Sequence, residues 1–165
     1  KIIGICQKDS EVGPRALGNR SIICDPAYNN MKDILNAKVK FREWYRPFAP
    51  VCLKEDASIY FESKDFNNFE YMGYAPVVKE QYRTDLPSIT HVDSTSRLQC
   101  VTAESHKFLF DLLTMYKKQG SKPVLLNTSF NIKGNPILSS LKDALYVLDN
   151  TELDYVLTDN WLIGK

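Results

Sequence analysis

The chain has 165 residues, enough for one domain that buries most of its apolar surface in a single core. Its 21 lysines and arginines against 20 aspartates and glutamates leave a formal charge of +1, which argues against a general nucleic-acid-binding surface with cations spread along one face. No apolar stretch approaches the length of a membrane span and no signal-peptide pattern appears, so the cytoplasm is the default location; a start at Lys1 rather than Met reads as a fragment of a longer polypeptide.

Ile2 to Cys6 and Ser21 to Cys24 read as short buried strands, since β-branched apolar residues cluster there between punctuating residues. Asn29 to Lys38 carries Met31, Ile34 and Leu35 at helical spacing behind Pro26 and an Asn pair, and is expected to be a helix that delivers Lys40. Pro47 and Pro50 should break any regular element, Val51 to Leu53 restart a strand, and a short helix run through Ala57–Phe61. Glu62 to Tyr71 reads as a long surface loop. Tyr74 to Val78, Ser88 to Val92 and Arg97 to Val101 are expected strands. His106 to Gln119 is the clearest helix, with Phe108, Leu109, Leu112, Leu113 and Tyr116 in one stripe and Gly120 as the stop. Pro123 to Leu126 and Pro136 to Leu138 read as strands, Ser140 to Leu148 as a helix opened by a serine cap, and Tyr155 to Leu157 and Trp161 to Ile163 as the strands that close the sheet. Strands interleaved with helices indicate a single α/β domain with a twisted mixed sheet flanked by helices. Cys6, Cys24, Cys52 and Cys100 are widely spaced, with no CxxC pair, and read as buried free thiols rather than disulfides or zinc ligands.

Three clusters carry candidate chemistry. Glu11-Val12-Gly13-Pro14-Arg15-Ala16-Leu17-Gly18-Asn19-Arg20-Ser21 sets two forked cations between glycines that can take positive φ, the composition of an anion-binding loop. Arg15 is expected to contact ligand; Arg20 reads equally as a ligand contact or a structural salt bridge. In Lys38–Pro50, Lys40, Arg42 and Arg46 would share one side of an extended segment as a basic wall, with Phe41 and Tyr45 opposite and Glu43 as internal counter-ion, for example to Arg42. Asn127-Thr128-Ser129-Phe130-Asn131 follows an apolar strand, the usual ligand position in open α/β sheets; an ordinary Asx or Ser turn reads equally well. His91 and Asp93 admit a metal pair, an acid–base pair or a structural unit, the last favoured, and Arg97 is placed to bind an anion. No Walker loop, spaced GxGxxG or nucleophile-elbow serine is present, and no histidine or lysine is linked by motif to Ser129 as a base.

The two basic segments, Leu125–Gly134, and Thr90-His91-Val92-Asp93 with Arg97 make the chain resemble the C-terminal, YrdC-like domain of O-carbamoyltransferases, which modify nodulation factors, cephamycins and aminoglycosides such as tobramycin. The resemblance runs over nearly the whole chain and departs at Val12, where an aromatic is expected. It implies a YrdC-like fold and a domain that takes carbamoyl phosphate, ATP and phosphate-held Mg2+ and makes a carbamoyl-adenylate. It also implies a separate N-terminal kinase/glycoprotease-like domain, carrying iron or another metal, that transfers the carbamoyl group to a hydroxyl. By motif, the catalytic set would be Arg15, Lys40, Arg46, Arg97 and Ser129, without metal ligands in this chain, and further binding contacts would come from Arg20, Arg42, Thr90, His91, Asn127, Thr128 and Asn131. The alternative is a non-catalytic nucleotide- or RNA-binding YrdC-like module, which the neutral overall charge disfavours for RNA.

Overall fold

The β-branched runs Ile2–Cys6 (β1) and Arg20–Cys24 (β2) pair antiparallel, with Ile2 opposite Cys24 and Cys6 opposite Arg20. The computed structural model describes residues 1–165 and builds outward from this pair. Ala49–Leu53 (β3), Gln99–Val101 (β6), Val124–Ser129 (β7), Tyr155–Leu157 (β8) and Leu162–Gly164 (β9) complete a mixed sheet of order β6-β3-β7-β2-β1-β8-β9. Phe61–Glu62 (β4) and Val77–Val78 (β5) form a separate small ribbon. The helices are Met31–Ile34 (α1), which continues into a π-helical turn at Leu35–Val39, then Ala57–Tyr60 (α2), Glu80–Arg83 (α3), Lys107–Lys118 (α4) and Leu141–Asn150 (α5). The domain is a mixed α/β fold with helices on both faces of the sheet, and no helix is long and apolar enough to cross a membrane.

Strand alternation sorts the core into two layers. Ile22, Cys24, Cys52, Val124 and Leu126 face one way, packing with Met31 and Leu35 of the α1 region and Ala144, Val147 and Leu148 of α5. Ile5, Ile23, Val51, Leu53 and Leu125 face the other, against Leu109 and Leu113 of α4. A one-residue slip would exchange these faces, so burial on both sides pins the register. All four cysteines are buried free thiols.

Both long helices start on side-chain caps: Nδ1 of His106 accepts from the Leu109 amide at 3.2 Å, and Ser140 forms a reciprocal capping box with Asp143. Several expectations differ from the structure. Pro50 lies inside β3; pairing with β6 begins only at Val51, which puts the residue lacking an N–H beside the strand's start. Ser88–Val92 is a turn, with the Ile89 amide and the Thr90 hydroxyl both bonded to the Leu86 carbonyl; Ile89 is wholly buried, so its apolar signal reflects burial without strand pairing. Only Val77–Val78 of the expected Tyr74–Val78 strand pairs, and Pro136–Leu138 is irregular, anchored through the Leu138 amide to the Phe130 carbonyl. β7 runs on to Ser129, so Asn127–Ser129 are strand residues rather than a following turn.

Candidate functional site: a basic cleft

Because β7 is antiparallel to both β2 and β3, its carboxyl end meets their amino ends at one end of the sheet's strands. Loops rise around those strand ends and line a cleft of about 430 Å³, within the size range of small-molecule sites. Arg15, Lys40, Arg42, Arg46, Arg97 and Lys133 all line it, over a floor of Asn127, Thr128, Ser129 and Asn131, with His91 on the wall. Arg20 and Thr90 do not line it. The buried Arg20 guanidinium donates to the carbonyls of Gln7 (2.6 Å), Asn19 (2.9 Å), Lys8 (3.1 Å) and Ser139 (3.4 Å), and so ties the start of β2 to neighbouring backbone with no carboxylate partner.

Lys40 is the most perturbed cation of the cleft. It is buried, and its Nζ donates to the Ser129 carbonyl (2.6 Å), Asn131 Oδ1 (2.6 Å) and, more weakly, Ser129 Oγ (3.3 Å). Desolvation, followed by the nearby charges of Arg42 and Arg46, pushes its pKa down from 10.5 to about 7. Burial and Arg46 likewise lower Arg42, from 12.5 to about 10, while Glu43 opposes the shift. Neighbouring cations thus push down both Lys40 and Arg42, only Glu43 counters them, and no carboxylate lines the cleft itself, so its lining carries excess positive charge. The motif gave Ser129 no basic neighbour, yet the fold brings Lys40 beside it; the Ser129 hydroxyl itself donates to Asn131 Oδ1 at 2.8 Å.

The basic segment is not extended. After the π-helical turn Phe41 adopts a left-handed backbone (φ 50°), and the chain folds back so that Arg42 Nε donates to Asn36 Oδ1 (2.7 Å) while its guanidinium stacks 4.5 Å from the centre of the Phe48 ring. Glu43 pairs with Lys133 (2.7 Å) and lies 3.8 Å from Arg46, leaving Arg42 to the amide of Asn36. His91 Nε2 lies 3.2 Å from the Phe48 carbonyl, which requires a proton on that nitrogen, and Nδ1 lies 3.3 Å from Thr95 Oγ1. Asp93 accepts from the Thr95 amide and hydroxyl, so it meets His91 only through Thr95.

Two further residues shape the Arg15 loop. Glu11 Oε1 accepts from the amides of Leu17 (2.9 Å), Asn19 (2.6 Å) and Arg20 (3.4 Å), closing the neck of the loop. Gln99 donates to the Leu17 carbonyl (2.8 Å) and accepts from Asn127 Nδ2 (2.7 Å). Gly18 (φ 134°) presses so closely on His106 and Leu109 that a Cβ would collide with them. Glu11 lies in the motif already singled out, whereas nothing in the local sequence marks Gln99 or Asn36.

A cleft walled by cations from separate loops, at the strand ends of a mixed sheet, defines an α/β domain with a basic cleft. The chain belongs to the carbamoyltransferase C-terminus family, whose model it matches over residues 1–165. It is 46% identical over 165 residues to nodulation protein NolO of Bradyrhizobium diazoefficiens, covering 99% of this chain and 30% of that protein. It is 44% identical over 165 residues to nodulation protein NolNO of Sinorhizobium fredii, covering 99% of this chain and 24% of that protein. With the 3'-hydroxymethylcephem-O-carbamoyltransferase of Streptomyces clavuligerus it shares 36% identity over 162 residues, 98% of this chain and 30% of that protein. The chain thus spans less than a third of the length of these relatives.

Proposed function

We propose that this domain serves carbamoyl transfer by binding carbamoyl phosphate and ATP and forming a carbamoyl-adenylate, which a separate N-terminal domain of the same polypeptide passes to a hydroxyl acceptor. In this reading, carbamoyl phosphate and water give carbamate and phosphate. Carbamate oxygen then attacks the α-phosphorus of ATP, and pyrophosphate leaves. The observation that supports it is the convergence of Arg15, Lys40, Arg42, Arg46, Arg97 and Lys133 on one cleft. Two polyanions repel each other, and fixed cations offset that repulsion while stabilising charge on the equatorial phosphate oxygens, so positioning and electrostatics carry the reaction without a protein nucleophile. Ser129, Thr128 and Asn131 add small hydrogen-bonding groups beneath the cations. The site's donor set suits phosphate better than a bare metal; magnesium would arrive on the triphosphate, held by phosphate oxygens and water. The length of the relatives supports the partner domain.

The test incubates this chain with carbamoyl phosphate, ATP and magnesium and follows pyrophosphate release and carbamoyl-adenylate by mass spectrometry. Pyrophosphate release that depends on both substrates is expected, with no carbamoylation of a sugar or cephem acceptor. ATP consumption independent of carbamoyl phosphate, or acceptor carbamoylation by this chain alone, would refute it.

A further inference from the structure

We infer that Asn36 is a positioning residue that holds the loop carrying Arg42 and Arg46 in the shape that presents those two cations to the cleft. This deepens, and rests on, the anion-binding function proposed above.

Asn36 is 1% exposed, in the π-helical turn one helical turn ahead of Lys40. Every polar group of its side chain serves the loop: Oδ1 accepts from Arg42 Nε at 2.7 Å, and Nδ2 donates to the carbonyls of Trp44 (3.2 Å) and Arg46 (3.1 Å). Its backbone carbonyl accepts from the Arg42 amide at 2.9 Å. Asn36 therefore fixes Arg42 at its side chain through the buried amide and at its main chain through the backbone carbonyl, and fixes Arg46 at its main chain through the amide. The local backbone would not hold this shape unaided. Phe41 has to enter the left-handed region, which is unfavourable for a bulky side chain, and wide helical turns of the π type recur where a side chain must be re-aimed. Arg42 and Arg46 also repel each other, since Arg46 helps to lower the Arg42 pKa, and the tied-down main chain helps the loop keep the two like charges together. Arg42 also stacks on Phe48 (4.5 Å) and donates to the Pro47 carbonyl (3.2 Å), whereas the 3.8 Å contact of the Arg46 side chain with Glu43 joins side chains that are 53% and 35% exposed and contributes little. Arg46 itself has half its side chain free to meet a ligand, while its carbonyl is fixed from behind by Asn36.

The test is a double-mutant cycle read by calorimetric titration of the chain with ATP, with thermal melts run alongside. Asn36→Ala should weaken ATP binding about tenfold through lost preorganisation. If Asn36 acts through Arg42 and Arg46, adding Asn36→Ala to a variant in which both arginines are already alanine should weaken binding no more than about twofold further. A merely structural Asn36 would lower the melting temperature and leave its loss independent of the two arginines. Affinity unchanged by Asn36→Ala in the wild-type background, or an Asn36→Ala loss that multiplies undiminished with that of the arginine pair, would overturn the inference. Should Asn36→Ala fail to fold, Asn36→Asp takes its place in the cycle, because it keeps the acceptor for Arg42 and removes both donors to the loop carbonyls. Absence of ATP binding in the wild-type chain would sink the proposed function and this inference together, whereas multiplying losses in a chain that binds ATP would sink this inference alone.

Discussion

Lys40→Met should make the domain more stable while disabling its cleft. The drop in the Lys40 pKa from 10.5 to about 7, at about 1.4 kcal/mol per unit, corresponds to a penalty of about 5 kcal/mol for holding this ammonium in the fold. Methionine fills a similar volume without charge. It gives up hydrogen bonds to Ser129 and Asn131, each worth about 1.5 kcal/mol net for a charged donor. Neither acceptor is left bare, because the Ser129 carbonyl still receives the Asn131 amide and Asn131 Oδ1 still receives the Ser129 hydroxyl. A net gain of about 2 kcal/mol remains, or about 4–8 °C in melting temperature for a chain of this size. The sign with pH follows from where the proton resides. The unfolded chain keeps it up to about pH 10.5 and the folded chain only up to about pH 7, so the unfolded state binds more protons between those values. The penalty is therefore complete below about pH 7 and fades as pH rises toward 10.5, and the melting-temperature gap between variant and wild type should narrow in step. Paired thermal melts across that range decide the matter: a variant that melts at or below the wild type near pH 6, or a gap that does not narrow with pH, would refute the account of Lys40 as a buried, electrostatically strained cation.

Arg46→Lys should weaken ATP binding roughly ten- to a hundredfold, since an ammonium cannot reproduce a forked contact with an anion, and the fold should survive because the side chain's only ionic partner is the exposed Glu43; titration with a parallel melt checks both. Ser129→Ala should slow carbamoyl-adenylate formation by roughly five- to tenfold without abolishing it. Ser129→Cys should show no covalent adduct by intact-protein mass spectrometry, because the serine proton is directed to Asn131 and Lys40 approaches as a donor; a stoichiometric mass increase localised to residue 129 would contradict this. Burial holds the His106 pKa below its ordinary 6.5, so the unfolded state takes up the proton first and stability, intact above pH 6.5, falls as the medium is acidified below it. His106→Asn keeps an acceptor for the Leu109 amide without the titration and should flatten that loss between about pH 7.5 and about pH 5.5 in thermal melts.

The elements that periodicity and caps specify locally were legible in the sequence. The apolar runs of β1 and β2, the stripe and stop of α4 and the Ser140 cap of α5 act within one element and its immediate neighbours, so their residue patterns are sufficient. Composition likewise marked the two basic loops and the polar end of β7, because arginine, glycine and small hydrogen-bonding residues carry their chemistry wherever they are placed. Their convergence was decided by tertiary structure: residues as distant in sequence as Arg15, Arg46, Arg97 and Lys133 share a cleft because β7 runs antiparallel to β2 and β3 and gathers the loops at one end of the strands. The same holds where local reading departed from the fold. Ile89 and Leu138 are apolar for burial without strand pairing, and the Lys40–Arg46 segment has a strand-like alternation that the π-helical turn, the left-handed Phe41 and the bonds of Asn36 override. Arg20 and Arg15 are near neighbours in one motif, yet one is buried among carbonyls and the other opens to the cleft, because a side chain's role follows from the groups that surround it, and distant parts of the chain supply those groups.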